Sequence, residues 1–249
     1  MQGIDSFGQN LRRGRLFFGF KYDDFQVNLT PDSGGSPDGV PTLYEANFNW
    51  SPVWPLTLTL GCFKPWITLQ DSMSSNDFLM LERPSIVEIS RGIAGGDGRS
   101  LIGGRWAEDR WFAAAYLTGD SYGSNNAAQA TRGQTGFVGR VAGRPYADPD
   151  IDVHLGFSGS YAFDIRRQAN GQTLQLRDRP ELRIEQQRLI DTGALAADNA
   201  YTWSPEFGVR WRNFMLQGEY IQIGVGRSSD GAAPRPDLRF EAAMSRGAG

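Results

Sequence analysis

The readable segments of this chain alternate. In Thr42–Trp50, one face of an extended strand carries Tyr44, Ala46, Phe48 and Trp50, and the other carries Glu45, Asn47 and Asn49. Leu56, Leu58 and Leu60 interleave with Thr57 and Thr59. Between residues 151 and 165, Ile151, Val153, Leu155, Phe157, Tyr161 and Phe163 separate from Asp152, His154, Ser158, Ser160 and Asp164. Between 201 and 212, Tyr201, Trp203, Phe207, Val209 and Trp211 separate from Thr202, Ser204, Glu206, Arg210 and Arg212. Period two is the strand period, and helical periodicity is poor throughout. Further strands are expected at 11–22, 24–30, 99–107, 110–118, 135–146, 213–224 and 238–244, which makes eleven and an all-β fold.

A soluble sandwich also alternates. Three features favour a membrane barrel instead. Several strands run past nine residues, whereas ordinary strands average about five or six and a bilayer needs about nine to eleven tilted ones. Aromatics bracket the apolar face: Trp203 and Trp211 lie about 26 Å apart along a strand, or about 20 Å vertically after tilting. Connections alternate in length. Short ones fall at 23–24, 51–55, 108–109, 148–150 and 212–213, and long ones at 31–41, 64–98, 119–134 and 225–237. Short periplasmic turns facing long extracellular loops give this pattern. No run of eighteen apolar residues exists, which excludes a transmembrane helix but not a barrel.

Composition narrows the chemistry. At 249 residues and 40% hydrophobic, the chain suits one domain. Its net charge of −3 argues against nucleic acid as a partner. Cys62 is the sole cysteine and His154 the sole histidine, so disulfides, most nucleophile–base pairs and nearly all zinc chemistry are excluded. No cofactor is implied. Lys21 and Lys64 are the only lysines; the remaining cations are arginines, whose planar donor fork suits anions, codon bias being the competing explanation. The glycine-rich Gly92–Gly98 lacks a following Gly-Lys-Ser/Thr and reads as a loop rather than a nucleotide cradle.

The stretch Leu176–Glu185, "LRDRPELRIE", places Arg177, Arg179, Glu181, Arg183 and Glu185 on one side over about 26 Å. As a wall strand, 173–186 would put two long connections in succession. Treating 166–199 as one extracellular insertion that dips into the lumen restores the alternation, and Pro180 is unwelcome in a paired central strand. The charged row then becomes a ladder of donors along which an anion passes.

Several segments together resemble the phosphate-selective porin O/P family of Gram-negative outer membranes. They are Gly61–Ser85 (GCFKPWITLQDSMSSNDFLMLERPS), Arg179–Asn199 (RPELRIEQQRLIDTGALAADN), Phe214–Tyr220 (FMLQGEY) and the early "LRRGRLFFGF". The resemblance implies an antiparallel up-and-down transmembrane β-barrel of about sixteen strands. It also implies a homotrimer in outer-membrane lipid and passive uptake of inorganic anions such as phosphate or polyphosphate. The family's ladder carries over onto Arg177 and Arg179, with Arg183 displaced. Glu181 and Glu185 stand where phosphate-selective members have arginines, and Asn76 stands where they have a lysine after Ser74-Ser75. A carboxylate beside a guanidinium neutralises its field, so a milder anion preference or a general small-solute pore is expected.

Parity adds Arg13, Arg15, Arg140 and Arg144 to the expected lumen. The 64–98 segment is expected to be a constriction loop carrying Lys64, Ser74, Ser75, Asn76, Glu82 and Arg83, with Arg91 and Arg99 nearby. Taken singly, each arginine has an ordinary explanation as a solvated residue or a wall salt bridge; as a row they set selectivity at close range. The whole chain reads as a single porin domain. With eleven strands against sixteen, no signal peptide in MQGIDSFGQNLRRGR and an end at EAAMSRGAG, it is expected to be truncated at both ends. Such an incomplete barrel is expected to aggregate when isolated. The competing reading is a soluble β-sandwich or jelly-roll that binds carbohydrate. An outer-membrane barrel enzyme would need a nucleophile beside His154, and no serine motif supplies one.

Overall fold

A computed structural model describes residues 14–34, 42–74, 83–96, 98–121, 128–130, 135–165, 167–168, 171–178, 190–228 and 236–248. In chain order the elements are β1 Phe18–Tyr22, β2 Phe25–Asp32, β3 Thr42–Val53, β4 Leu56–Phe63, α1 Leu69–Ser72, α2 Ser85–Ala94, β5 Arg99–Ala107 and β6 Trp111–Ser121. Then come β7 Ala128–Ala130, β8 Thr135–Ala147, β9 Ile151–Asp164, β10 Arg167–Gln168, β11 Gly171–Asp178, β12 Ile190–Asp191, β13 Leu195–Trp211, β14 Phe214–Arg227 and β15 Leu238–Ala248.

Eleven strands pair antiparallel in the order β1-β2-β3-β4-β5-β6-β8-β9-β13-β14-β15. Each strand neighbours its predecessor in this wall, which is the up-and-down topology of a barrel. Among the described residues the sheet is open between β1 and β15. The short turns at 23–24, 54–55, 108–110, 148–150 and 212–213 all fall at one end, and the long connections at the other. β9 pairs directly with β13, from Ala162↔Ala200 to Ile151↔Trp211, so the chain between them is an excursion from the wall. Within that excursion β11 pairs with β7, β10 and β12 and touches only the start of β13, at Thr173↔Ala196 and Leu174↔Leu195.

The two faces of the wall are inverted relative to a soluble protein. One carries large apolar side chains left open: Trp111 is 56% exposed, Leu117 57%, Phe157 49%, Phe207 41% and Trp211 55%. The other buries polar groups, among them Asn47, Thr59, Arg140, Ser158, Ser204, Glu206, Gln217 and Glu219. Soluble monomers rarely expose contiguous apolar patches of this extent, whereas a lipid-facing wall requires one. At the short-turn end the open face is edged by Tyr22, Phe25, Trp50, Trp54, Trp106, Trp111, Tyr146, Trp211 and Phe214, all exposed. That is the aromatic girdle of a membrane interface. Close interstrand fits explain two glycines on this face. A Cβ at Gly218 would stand 2.3 Å from the Phe207 ring, and one at Gly143 would stand 2.4 Å from Trp111.

Four features differ from the sequence reading. The first strand begins at Phe18 rather than 11; before it, Arg15 makes an isolated bridge with Asp32. A ten-residue helix, α2, occupies Ser85–Ala94 although helical periodicity looked poor. Ile86, Ile89, Ser90, Ile93 and Ala94 do recur at helical spacing, but over too few turns to stand out. Its last three residues take up the start of the glycine-rich stretch expected as a loop. Finally, proline does occur in a central strand: Pro205 pairs with Phe157 in β9, while the β13–β14 ladder skips Ser204 and Pro205.

Candidate functional site: the polar face and the segment laid across it

Gly61 lies two residues before the end of β4, after which the chain leaves the wall and runs over the polar face. Its φ is +135°, and a Cβ there would stand 2.3 Å from the Ala46 carbonyl oxygen. Only glycine fits such a backbone approach. The chain then crosses the wall strand by strand. Phe63 meets the Tyr116 ring edge-on at 5.3 Å, and Trp66 meets Phe112 at 5.6 Å, both on β6. Ile67 packs with Val138 of β8 and Ala94 of α2. The Thr68 N–H donates to Ser158 Oγ of β9 at 3.0 Å. The N–H groups of Leu69 and Gln70 donate to the two oxygens of Glu219 on β14, at 2.8 and 3.3 Å, and Ser204 of β13 donates to the same carboxylate at 2.7 Å. Thr68 sits at φ +48°, a strained position for threonine, and its hydroxyl caps α1 by accepting the Asp71 N–H at 3.1 Å.

Helix α2 returns the chain to the wall. Val87, Ile89 and Ile93 bury against Ile221, Ile223 and Val225 of β14, Ala162 of β9, Ile165 just after it, and Leu174 and Leu176 of β11. Arg99 ties down its C-terminal end, donating to the carbonyls of Gly92 at 3.2 Å, Gly95 at 2.9 Å and Gly119 at 2.9 Å. A guanidinium there satisfies helix carbonyls otherwise left without partners. Arg99 is therefore structural.

The three cations of this segment converge on one carboxylate. Asp71 is fully buried; its Oδ1 lies 3.0 Å from Arg91 Nε, 3.4 Å from Lys64 Nζ and 4.0 Å from Arg83 Nε. The Lys64 ammonium also donates to the Asp71 carbonyl oxygen. Glu88 bridges the two arginines, at 3.4 Å from Arg83 Nη1 and 3.0 Å from Arg91 Nη1. Of the other candidates here, Ser74 lies beyond α1 at the edge of the described residues; Ser75, Asn76 and Glu82 lie outside them.

Of the expected lumen arginines, Arg15, Arg140 and Arg144 are ion-paired. Arg140 Nη2 lies 2.6 Å from Glu206 Oε1, and His154 Nε2 lies 2.8 Å from the same oxygen. Gly156, on the strand between, leaves room for the Glu206 side chain, since a Cβ there would stand 2.5 Å from Oε1. Arg15 pairs with Asp32 at 2.7 Å and stacks 3.4 Å over the Tyr44 ring. Arg144 grips Asp152 through two nitrogens, Nε at 3.0 Å from Oδ1 and Nη2 on Oδ2, near the short-turn end. Arg177 lies on β11, half-buried, its backbone paired with Asp191. Arg13, Arg179 and Arg183 lie outside the described residues.

Four partners of the candidate residues and of the segment laid across the wall escape local sequence reasoning: Asp71, Glu88, Glu206 and Glu219. Parity does put Glu206 on the polar face of β13. No local signal pairs it with Arg140, 66 residues away, or joins Leu69 to Glu219, 150 residues away. The QGEY motif, by contrast, becomes legible: Gln217 and Glu219 face inward, Gly218 makes room for Phe207, and the Tyr220 hydroxyl donates to Glu241 at 2.7 Å.

No curated protein matches this chain. The family model described as "phosphate-selective porin O and P" matches residues 4–242. An antiparallel wall, greasy outside and polar inside with a segment laid across its inner face, agrees with that match across nearly the whole length. The chain therefore belongs to the phosphate-selective porin O and P family, outer-membrane porins that pass anions.

Proposed function

We propose that this chain supplies wall and constriction to a passive channel for small anions, through a lumen in which arginines are set among carboxylates. Chloride-sized ions and phosphate pass, with a modest preference over cations and without a dedicated phosphate cage. Arginine forks and the Lys64 ammonium would replace part of an anion's hydration shell with charge-assisted hydrogen bonds, weak enough for the ion to leave. The observation that carries this reading is the cluster on the 64–98 segment. Among the described residues it sets three cations, Lys64, Arg83 and Arg91, against two carboxylates, Asp71 and Glu88. The pairing of Arg15, Arg140 and Arg144 with Asp32, Glu206 and Asp152 supports the mildness of the preference, because each guanidinium field is largely cancelled. Segment 64–98 then acts as the constriction. The 166–199 excursion, bearing Arg177, Arg179 and Arg183, lines the extracellular approach, in a homotrimer surrounded by outer-membrane lipid.

Planar-bilayer recordings of the full chain test this. Under a KCl gradient the reversal potential is expected to show chloride more permeant than potassium by a few-fold, and replacing chloride with phosphate is expected to leave a measurable current. A reversal potential on the cation side overturns the proposal.

A further inference from the structure

The three cations of the 64–98 segment are not independent charges. Lys64, Arg83 and Arg91 come from separate stretches, and what they share is the buried Asp71 carboxylate. All three face its Oδ1, while Oδ2 has no hydrogen-bond partner among the described residues. A buried carboxylate kept only for stability would be expected to satisfy both oxygens, and buried ion pairs are in general poor sources of net stability. Charge balance gives Asp71 a second role. Counted over the described residues Lys64, Arg83, Arg91, Asp71 and Glu88, the cluster carries one net positive charge with Asp71 and two without it.

We propose that Asp71 sets how strongly the channel prefers anions, by gathering Lys64, Arg83 and Arg91 and cancelling one of their charges. The proposal rests on the channel reading above only in that permeating ions pass beside this cluster. A unit charge about 7 Å from an ion in water at one-tenth molar salt changes that ion's occupancy roughly 1.6-fold, upward for an anion and downward for a cation. Removing the Asp71 charge is therefore expected to raise the anion-to-cation permeability ratio between two- and threefold.

The test is reversal-potential measurement on the full chain in planar bilayers under a KCl gradient. Asp71→Asn is expected to raise the ratio by that factor, and Asp71→Asn combined with Arg91→Gln to return it to the starting value. A role confined to loop packing would alter single-channel conductance while leaving the ratio unmoved, and that outcome overturns the proposal. If Asp71→Asn alone does not assemble, Arg91→Gln is compared with the double variant. The two differ only in the Asp71 charge, so the double variant is expected to lie two- to threefold higher, and equal ratios overturn the proposal. Should the unaltered channel itself prefer cations, the anion reading fails while the Asp71 shift is still measured against that baseline.

Discussion

Placing an arginine at Phe207 separates a lipid-facing wall from any soluble arrangement of the same strands. Phe207 lies four residues from Trp203 and four from Trp211 on β13, and its side chain is on the open face. At 3.3 Å per residue and a tilt of 40°, it stands about 10 Å vertically from each, near the bilayer midplane. A guanidinium there costs about 2–4 kcal/mol, whereas at the interface the cost falls to about 0–1 kcal/mol. Phe214 begins β14 beside Trp211, so Phe214→Arg is the interfacial comparison. Phe207→Ala corrects for the lost packing of the ring over Gly218. The assay is urea unfolding of the full chain inserted in lipid vesicles, followed by tryptophan fluorescence. After that correction, Phe207→Arg is expected to shift the folding equilibrium by roughly 30- to 900-fold and Phe214→Arg by roughly fivefold at most. Equal costs at the two positions would refute a depth-dependent hydrocarbon environment.

Gly61→Ala forces a methyl group against the Ala46 carbonyl at a positive φ, so a loss of about 1–3 kcal/mol is expected in the same unfolding assay. Glu206→Leu leaves the buried Arg140 without its carboxylate and is expected to cost about 3 kcal/mol, most of it restored by adding Arg140→Met; a double-mutant cycle with no coupling would contradict this. At the 148–150 turn, the Tyr146 hydroxyl and then the Ile151 N–H hold the Asp148 carboxyl below the ordinary aspartate value. Its contribution to stability is therefore present above the unfolded value of about 3.9 and lost as pH falls through the lower folded value. NMR titration is expected to find Asp148 titrating below 3.9, with Tyr146→Phe moving it upward.

The wall is legible in the sequence because each of its residues meets one of two uniform surroundings. Phe157 and Ser158 point to opposite sides whatever the rest of the chain does, and the period-two pattern records that. Loop parity is equally local, and it argues for leaving 173–186 out of the wall without saying where that stretch goes. The interior is different. Asp71 acquires its meaning from Arg83 and Arg91 once α2 folds back over β14, and the pairing of Arg140 with Glu206 is made across the intervening β9. No spacing rule predicts such contacts, so arginines judged one at a time look like lumen groups or salt bridges with equal ease. Helix α2 was obscured by brevity, and Pro205 by a rule that holds for most central strands but yields where one ladder skips a pair.

Site-directed spin labelling along β13, in a Cys62→Ser background with single cysteines at 206 through 211, tests the lipid-facing assignment most directly. Collision with oxygen, which concentrates in hydrocarbon, is expected to peak at 207, 209 and 211; collision with a water-soluble nickel chelate is expected to peak at 206, 208 and 210. Both accessibilities rising together at 207, 209 and 211, without opposed periodicity, would contradict the assignment.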